Sequence, residues 1–108
     1  MITAKSYTLR TPNGGWLGQV VLTSDGMFSA VTDYGNFGYT WRSYGPENFR
    51  QFIIGLNIGY FATKMAGGMA YVAYGRKIDK AAALFAEMIL PALQEVLKQE
   101  IEFETNKS

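Results

Sequence analysis

The 108-residue chain contains no cysteine and no histidine. Without cysteine it can build no disulfide, no thiolate zinc site, no iron–sulfur cluster and no thiol nucleophile. Without histidine it lacks the side chain whose ordinary pKa best suits proton transfer near neutral pH, and the commonest nitrogen ligand for metals. Catalysis would have to rest on carboxylates, lysine, tyrosine or hydroxyls, and the acids are few. Asp25, Asp33, Glu47 and Asp79 all fall at turns or helix starts, where a carboxylate has ordinary work turning or capping the backbone. The five acids from Glu87 onward read as solvated charge on a helix and tail. Neither a Walker pattern nor GxGxxG occurs, so Gly14-Gly15 and Gly67-Gly68 read as simple breakers. No catalytic, metal-binding or cofactor-binding residue is expected, and the chain reads as a non-enzyme.

Long apolar runs are missing too: none reaches the ~20 residues of a membrane-spanning helix, and the N-terminus has no basic segment followed by an apolar one. The expectation is a cytoplasmic protein with no membrane partner. Net charge is +1, with eight Lys/Arg against four Asp/Glu in residues 1–80 and two against five in residues 81–108. So mild an asymmetry describes surfaces and does not single out an acidic or basic partner.

What is present is enough apolar and aromatic material to fold: 48% hydrophobic and 15% aromatic residues against 18% charged. The length is that of one domain. In the first forty-odd residues, β-branched and aromatic side chains alternate with polar ones, interrupted by Pro12-Asn13-Gly14-Gly15, Ser24-Asp25-Gly26 and Tyr34-Gly35-Asn36. Strands are expected at residues 7–10, 17–23, 27–32 and 37–42. The fold class is therefore α+β, an N-terminal four-stranded antiparallel β-meander packed against C-terminal helices.

The expected layout is a meander over residues 1–44, a helix over 45–66, a connector over 67–78 and a helix over 79–103. Gly45-Pro46-Glu47 supplies the first helix start and Asp79 an N-cap for the second. Gly55 and Gly59 share one stripe of the first helix, where they allow another backbone to approach. The apolar sector from Phe49 to Phe61 is wide enough for cover on two sides, or for a second copy of the chain as a homodimer partner. Pro91 predicts a kink, or a break into two helices, near Leu90, and beyond Phe103 the polar tail is expected to fray. Residues 69–74 fit strand or helix equally by periodicity.

Alternation puts Phe37, Tyr39 and Trp41 on one face of the fourth strand, most simply against a helix in the core. Phe37-Gly38-Tyr39 has something of the aromatic strand of RNA-recognition motifs, yet Gly35 stands where a basic residue belongs and Asn36 where a glycine does. Nucleic acid is an open but disfavoured partner. Candidate partner-binding residues are those that should project from turns and loops and are rich in hot-spot types: Trp16, Tyr34, Arg42, Tyr44, Arg76 and Lys77.

The run Asp33-Tyr34-Gly35-Asn36-Phe37-Gly38-Tyr39-Thr40-Trp41, then Gly45-Pro46-Glu47-Asn48-Phe49 and an apolar helix, resembles small accessory proteins encoded by phages and prophages, over about residues 30–65. Such proteins include anti-CRISPR and other anti-defence types. The resemblance implies a cytoplasmic role in a bacterial host, binding and blocking a host protein or nucleoprotein complex. It transfers no binding motif. Two other readings stand beside it, single-stranded nucleic-acid binding and a homo-oligomeric structural or assembly protein.

Overall fold

A computed structural model describes residues 1–45, 48–68 and 76–107. The N-terminal part is the expected meander: β1 (Ala4–Arg10), β2 (Trp16–Thr23), β3 (Met27–Thr32) and β4 (Gly35–Thr40) form one antiparallel sheet in the order β1-β2-β3-β4. The turns explain the order. Gly26 adopts φ +99°, and a Cβ there would stand 2.2 Å from the Trp41 carbonyl oxygen, so only glycine fits. Its own carbonyl accepts from the Trp41 N–H at 2.8 Å, which pins the chain leaving β4 to the β2–β3 hairpin. The fourth strand is shifted two residues toward the N-terminus relative to the expected one, running from Gly35 to Thr40 instead of from Phe37 to Arg42. At the turn before it the buried Thr32 hydroxyl donates to the Gly35 carbonyl at 2.7 Å and accepts from the Tyr34 N–H at 3.0 Å.

Three helices follow: α1 (Phe49–Ile54), α2 (Ile58–Gly68) and α3 (Arg76–Lys107). They cover one face of the sheet. Tyr7, Leu9, Leu17, Val20, Leu22, Phe28, Ala30, Phe37 and Trp41 turn inward to meet Phe49, Ile53, Phe61 and Met65 and the long apolar stripe of α3. Phe85 lies at the centre, with ring centroids 4.4 Å from Phe37, 6.0 Å from Phe61 and 6.3 Å from Phe28. The aromatic strand thus serves the core: Phe37 and Trp41 are buried and Tyr39 is half-buried.

The helices depart from expectation in four ways. The single helix over 45–66 is two, because Asn48 rather than Gly45-Pro46 caps the first, its side-chain oxygen accepting from the Gln51 N–H at 3.0 Å, and the chain then breaks at Gly55. Asn57 starts α2 by accepting from the Tyr60 N–H at 2.7 Å. Secondly, Gly55 and Gly59 admit no neighbouring element. A Cβ at either would meet only atoms of its own segment, at 3.5 Å or more. Thirdly, α3 starts at Arg76, which puts Asp79 in its first turn instead of at the cap, and the helix continues through Pro91 without breaking into two. Glu87, whose carbonyl loses its partner to the proline, and Pro91 itself are both exposed, so water can satisfy the freed oxygen. Fourthly, the helix persists past Phe103.

Most of the wide apolar sector is covered within the chain, α1 packing on α3 and α2 on both α3 and β4, while Ile58 and Tyr60 remain exposed. The strand-or-helix alternative for 69–74 lies outside the described residues. Among the described residues no helix is long and apolar enough to cross a membrane.

Candidate functional site

The β2–β3 turn, the segment after β4, the start of α1 and the last turns of α3 meet at one end of the sheet. Strand parity brings Lys5 and Tyr7 there on the helix-facing side of β1, two residues apart. Glu100 and Glu104 lie one turn apart on α3, and Arg50 follows the Asn48 cap in the first turn of α1. The five side chains form one network. Tyr7 donates to Glu100 Oε1 at 2.8 Å, Arg50 Nη1 reaches the same oxygen at 2.6 Å, and Lys5 Nζ lies 2.7 Å from Glu100 Oε2. Arg50 also grips Glu104 through both terminal nitrogens, at 2.9 and 3.0 Å.

Two cations face two anions, and the protonation states are set by these contacts. Burial alone would raise the Glu100 carboxyl, but hydrogen bonds from Lys5, Arg50 and Tyr7 outweigh it and hold it below the usual carboxylate range. The Glu104 carboxyl is likewise held low, first by its hydrogen bond from Arg50. Burial, together with the Glu100 carboxylate, pushes the Tyr7 phenol well above its ordinary range, so it remains a donor. Each carboxylate is paired with at least one cation, so the network acts as a clamp joining β1, α1 and α3.

Beside it opens a cleft of about 490 Å³. Its apolar lining comes from Leu22 and Phe49, its polar lining from Thr3, Ser24, Asn48 and Tyr44, and its charged lining from Lys5, Arg50 and Glu104. Tyr44 is fixed by donating its phenol to the Ser24 carbonyl at 2.9 Å.

From Tyr44 an unbroken belt of rings runs round the end of the molecule. The Tyr44 ring lies tilted against Phe49 and Phe52 (centroids 5.1 and 5.8 Å apart), Phe52 meets Trp41 edge-on (5.6 Å), and Trp41 meets Tyr39 likewise (4.7 Å). The Trp41 indole N–H donates to the Tyr60 hydroxyl at 3.1 Å. Lys64 Nζ sits 5.5 Å from the Tyr39 ring and 5.4 Å from the Tyr60 ring, a cation–π geometry. Trp41 and Phe49 are buried beneath; Tyr39, Tyr44, Phe52 and Tyr60 reach the surface.

The six residues expected to bind a partner do not form one patch. Arg42 and Tyr44 belong to this end, Arg42 exposed and Tyr44 half-buried. Trp16, which opens β2, and Tyr34, in the β3–β4 turn, lie at the opposite end, a strand length of roughly 20 Å away. Arg76 and Lys77 begin α3, and their side chains lie outside the described residues. Sequence reasoning gave Lys5, Glu100 and Glu104 no part in a site and did not foresee the pairing of Arg50 with the two acids. Glu100 and Glu104, taken as solvated charge, are engaged, and Glu104 is tied at the point where the tail was expected to fray. The one local signal was the four-residue spacing of the two acids.

Compared with known protein families, residues 1–83 match a phage family. The chain belongs to it. The match spans the whole meander, α1, α2 and the start of α3, so most of this phage protein's clamp and ring belt falls within it, while Glu100 and Glu104 lie beyond. No curated protein and no solved structure matches the chain.

Proposed function

We propose that this phage protein is a non-enzymatic binding protein, an inhibitor of the anti-CRISPR kind that blocks a host defence or nucleic-acid-processing complex by gripping a host protein with its aromatic end. The observation that carries the reading is the ring belt. Four part-exposed aromatics stand on two buried ones, with Arg42 exposed beside them and Lys64 laid across two rings. Tyrosine, tryptophan and arginine dominate energetic hot spots, and rings already held by packing lose little freedom on binding. Arg42 has no ion-pair partner among the described residues, which favours a partner presenting a carboxylate.

Protein contact is better supported than base stacking. Phe37 and Trp41 are buried under helices, and the solvent-facing side of the sheet offers Arg10 as its one cation. The test is capture of a host protein from nuclease-treated lysate by tagged protein, comparing the native chain with Arg42→Glu/Tyr60→Ala. A stoichiometric host protein held by the first and lost by the second, with both still folded, is the expected result. Recovery of nucleic acid alone, or equal capture by both, refutes the assignment.

A further inference from the structure

The aromatic end is built from a stretch of chain that is short of acids. Between Asp33 and Asp79 the sequence holds Arg42, Arg50, Lys64, Arg76 and Lys77 against Glu47 alone. Arg50 is engaged by Glu100 and Glu104, which come from the last turns of α3. Arg42 and Lys64 have no ion-pair partner among the described residues, and neither β4, α2 nor residues 41–45 carry a carboxylate side chain. Lys64 is nonetheless held in place. Its Nζ lies 5.5 Å from the Tyr39 ring and 5.4 Å from the Tyr60 ring, so two ring faces set its position where an acid ordinarily would. The neighbouring hydroxyl is oriented as well. The Tyr60 oxygen accepts from the Trp41 indole N–H at 3.1 Å, which directs the phenol's own hydrogen elsewhere, and no acceptor for it is found among the described residues. Tyr60 is exposed while Lys64 and Tyr39 are half-buried, so these donors meet solvent at the rim of an apolar surface.

On the reading of the aromatic end as the binding surface, we propose that Tyr39, Tyr60 and Lys64 form a recognition site for a carboxylate, and that the partner docking there presents an acidic protein segment bearing Asp or Glu. The site offers donors without acceptors. An ammonium and a phenol O–H can donate to one carboxylate together, and the rings beneath keep water from part of the pair, which strengthens a charge-assisted hydrogen bond over one on an open surface. Because the cation already rests against the rings, little side-chain freedom is lost when the acid arrives. Arg42, next in sequence to the buried Trp41, gives the same end a second cation, so the local charge complements an acidic segment and repels a basic one. A polynucleotide fits less well. Backbone recognition calls for a row of cations, whereas α2 and β4 together offer Lys64 alone.

Titration of the full isotope-labelled chain with a short synthetic peptide of glutamate and leucine, followed through amide chemical shifts, tests it. The shifts are expected to cluster at Tyr39, Tyr60 and Lys64. A peptide with glutamine in place of glutamate should bind the native chain about ten-fold more weakly, and Lys64→Met, which keeps the apolar stem, should weaken the acidic peptide about as much. Lys64→Arg, which keeps the charge, and Lys98→Met, an exposed cation on α3, should both bind it as the native chain does. Circular dichroism unchanged among the variants shows that the fold is kept. Equal binding of the two peptides, equal binding by Lys64→Met, preference for oligothymidylate over the acidic peptide, or no binding of that peptide at millimolar concentration overturns the inference. No host protein enters this titration, so its failure is separable from a failed lysate capture. A host protein held equally by the native chain and by Lys64→Met refutes the carboxylate site alone and leaves the binding role standing.

Discussion

Gln94 offers the sharpest test of how the helical layer is held. It sits half-buried in the middle of α3, and its side-chain amide lies 3.1, 3.0 and 2.8 Å from the carbonyl oxygens of Ile53, Ile54 and Leu56. Those carbonyls lie at the α1–α2 break, where the Ile53 oxygen also accepts from the Leu56 N–H at 3.1 Å. One NH₂ has two hydrogens, so three acceptors share two donors. Gln94→Met keeps the volume and removes both. At about 0.5–1.5 kcal/mol net per hydrogen bond, the loss should be roughly 1–3 kcal/mol. For a domain of this size that lowers Tm by roughly 4–8 °C per kcal/mol. Gln94→Glu should be worse, since it turns a carboxylate toward three carbonyl oxygens, and its deficit should shrink as the pH falls and the carboxyl protonates. Urea unfolding monitored by tryptophan fluorescence measures both, Trp41 being buried near the break. A Gln94→Met midpoint corresponding to less than about 0.5 kcal/mol would mean that water serves these carbonyls equally well and that the amide is not what stabilises the break.

Other perturbations address the turn, the core and the clamp. Gly26→Ala combines positive φ with a Cβ 2.2 Å from a carbonyl oxygen and should destabilise by about 2 kcal/mol or more, whereas Gly14→Ala, with the same sign of φ but open space, should cost clearly less in the same urea experiment. Phe85→Ala empties the meeting point of three other rings and should lose about 3–5 kcal/mol, seen as a large fall in the calorimetric Tm. Arg50→Ala should cost about 2 kcal/mol, between an exposed pair and a fully buried one, and less in high salt. The folded-state carboxyl of Glu100 lies below its ordinary 4.5, so its contribution is full above that pH and disappears as pH falls through the folded value. Urea midpoints from pH 7 to about pH 3 should therefore drop more for the native chain than for Glu100→Gln.

Legibility followed the range of the interactions involved. The strands could be read because each one is announced locally, by two-residue alternation and by a turn whose glycine supplies positive φ, as at Gly26 and Gly35. The helix break at Gly55-Leu56-Asn57 has a local stop and start as well, but it lies inside a continuous apolar pattern, and the donor that serves the break is Gln94, about 40 residues away. The clamp was illegible for the same reason, since Tyr7 meets Glu100 across 93 residues and Arg50 meets it across 50. Choosing site residues by loop position and residue type grouped Tyr34 with Tyr44, although they bracket a single strand and so stand at opposite ends. That separation follows from parity and was available in advance. The part played by Tyr39, Tyr60 and Lys64 required knowing where α2 lies against β4.

The placement of α3 has a consequence for how the protein is made. The sheet is complete by residue 40 and α2 by residue 68, but the helix that seals the sheet's inner face contributes Ala82 through Leu97, and the clamp requires Glu100 and Glu104. During synthesis the first strands leave the ribosome well before their cover, with Phe28, Phe37 and Phe61 unshielded until the last quarter of the chain emerges. Stalled chains ending near residue 75 should therefore be captured by chaperones more strongly than chains that extend through α3.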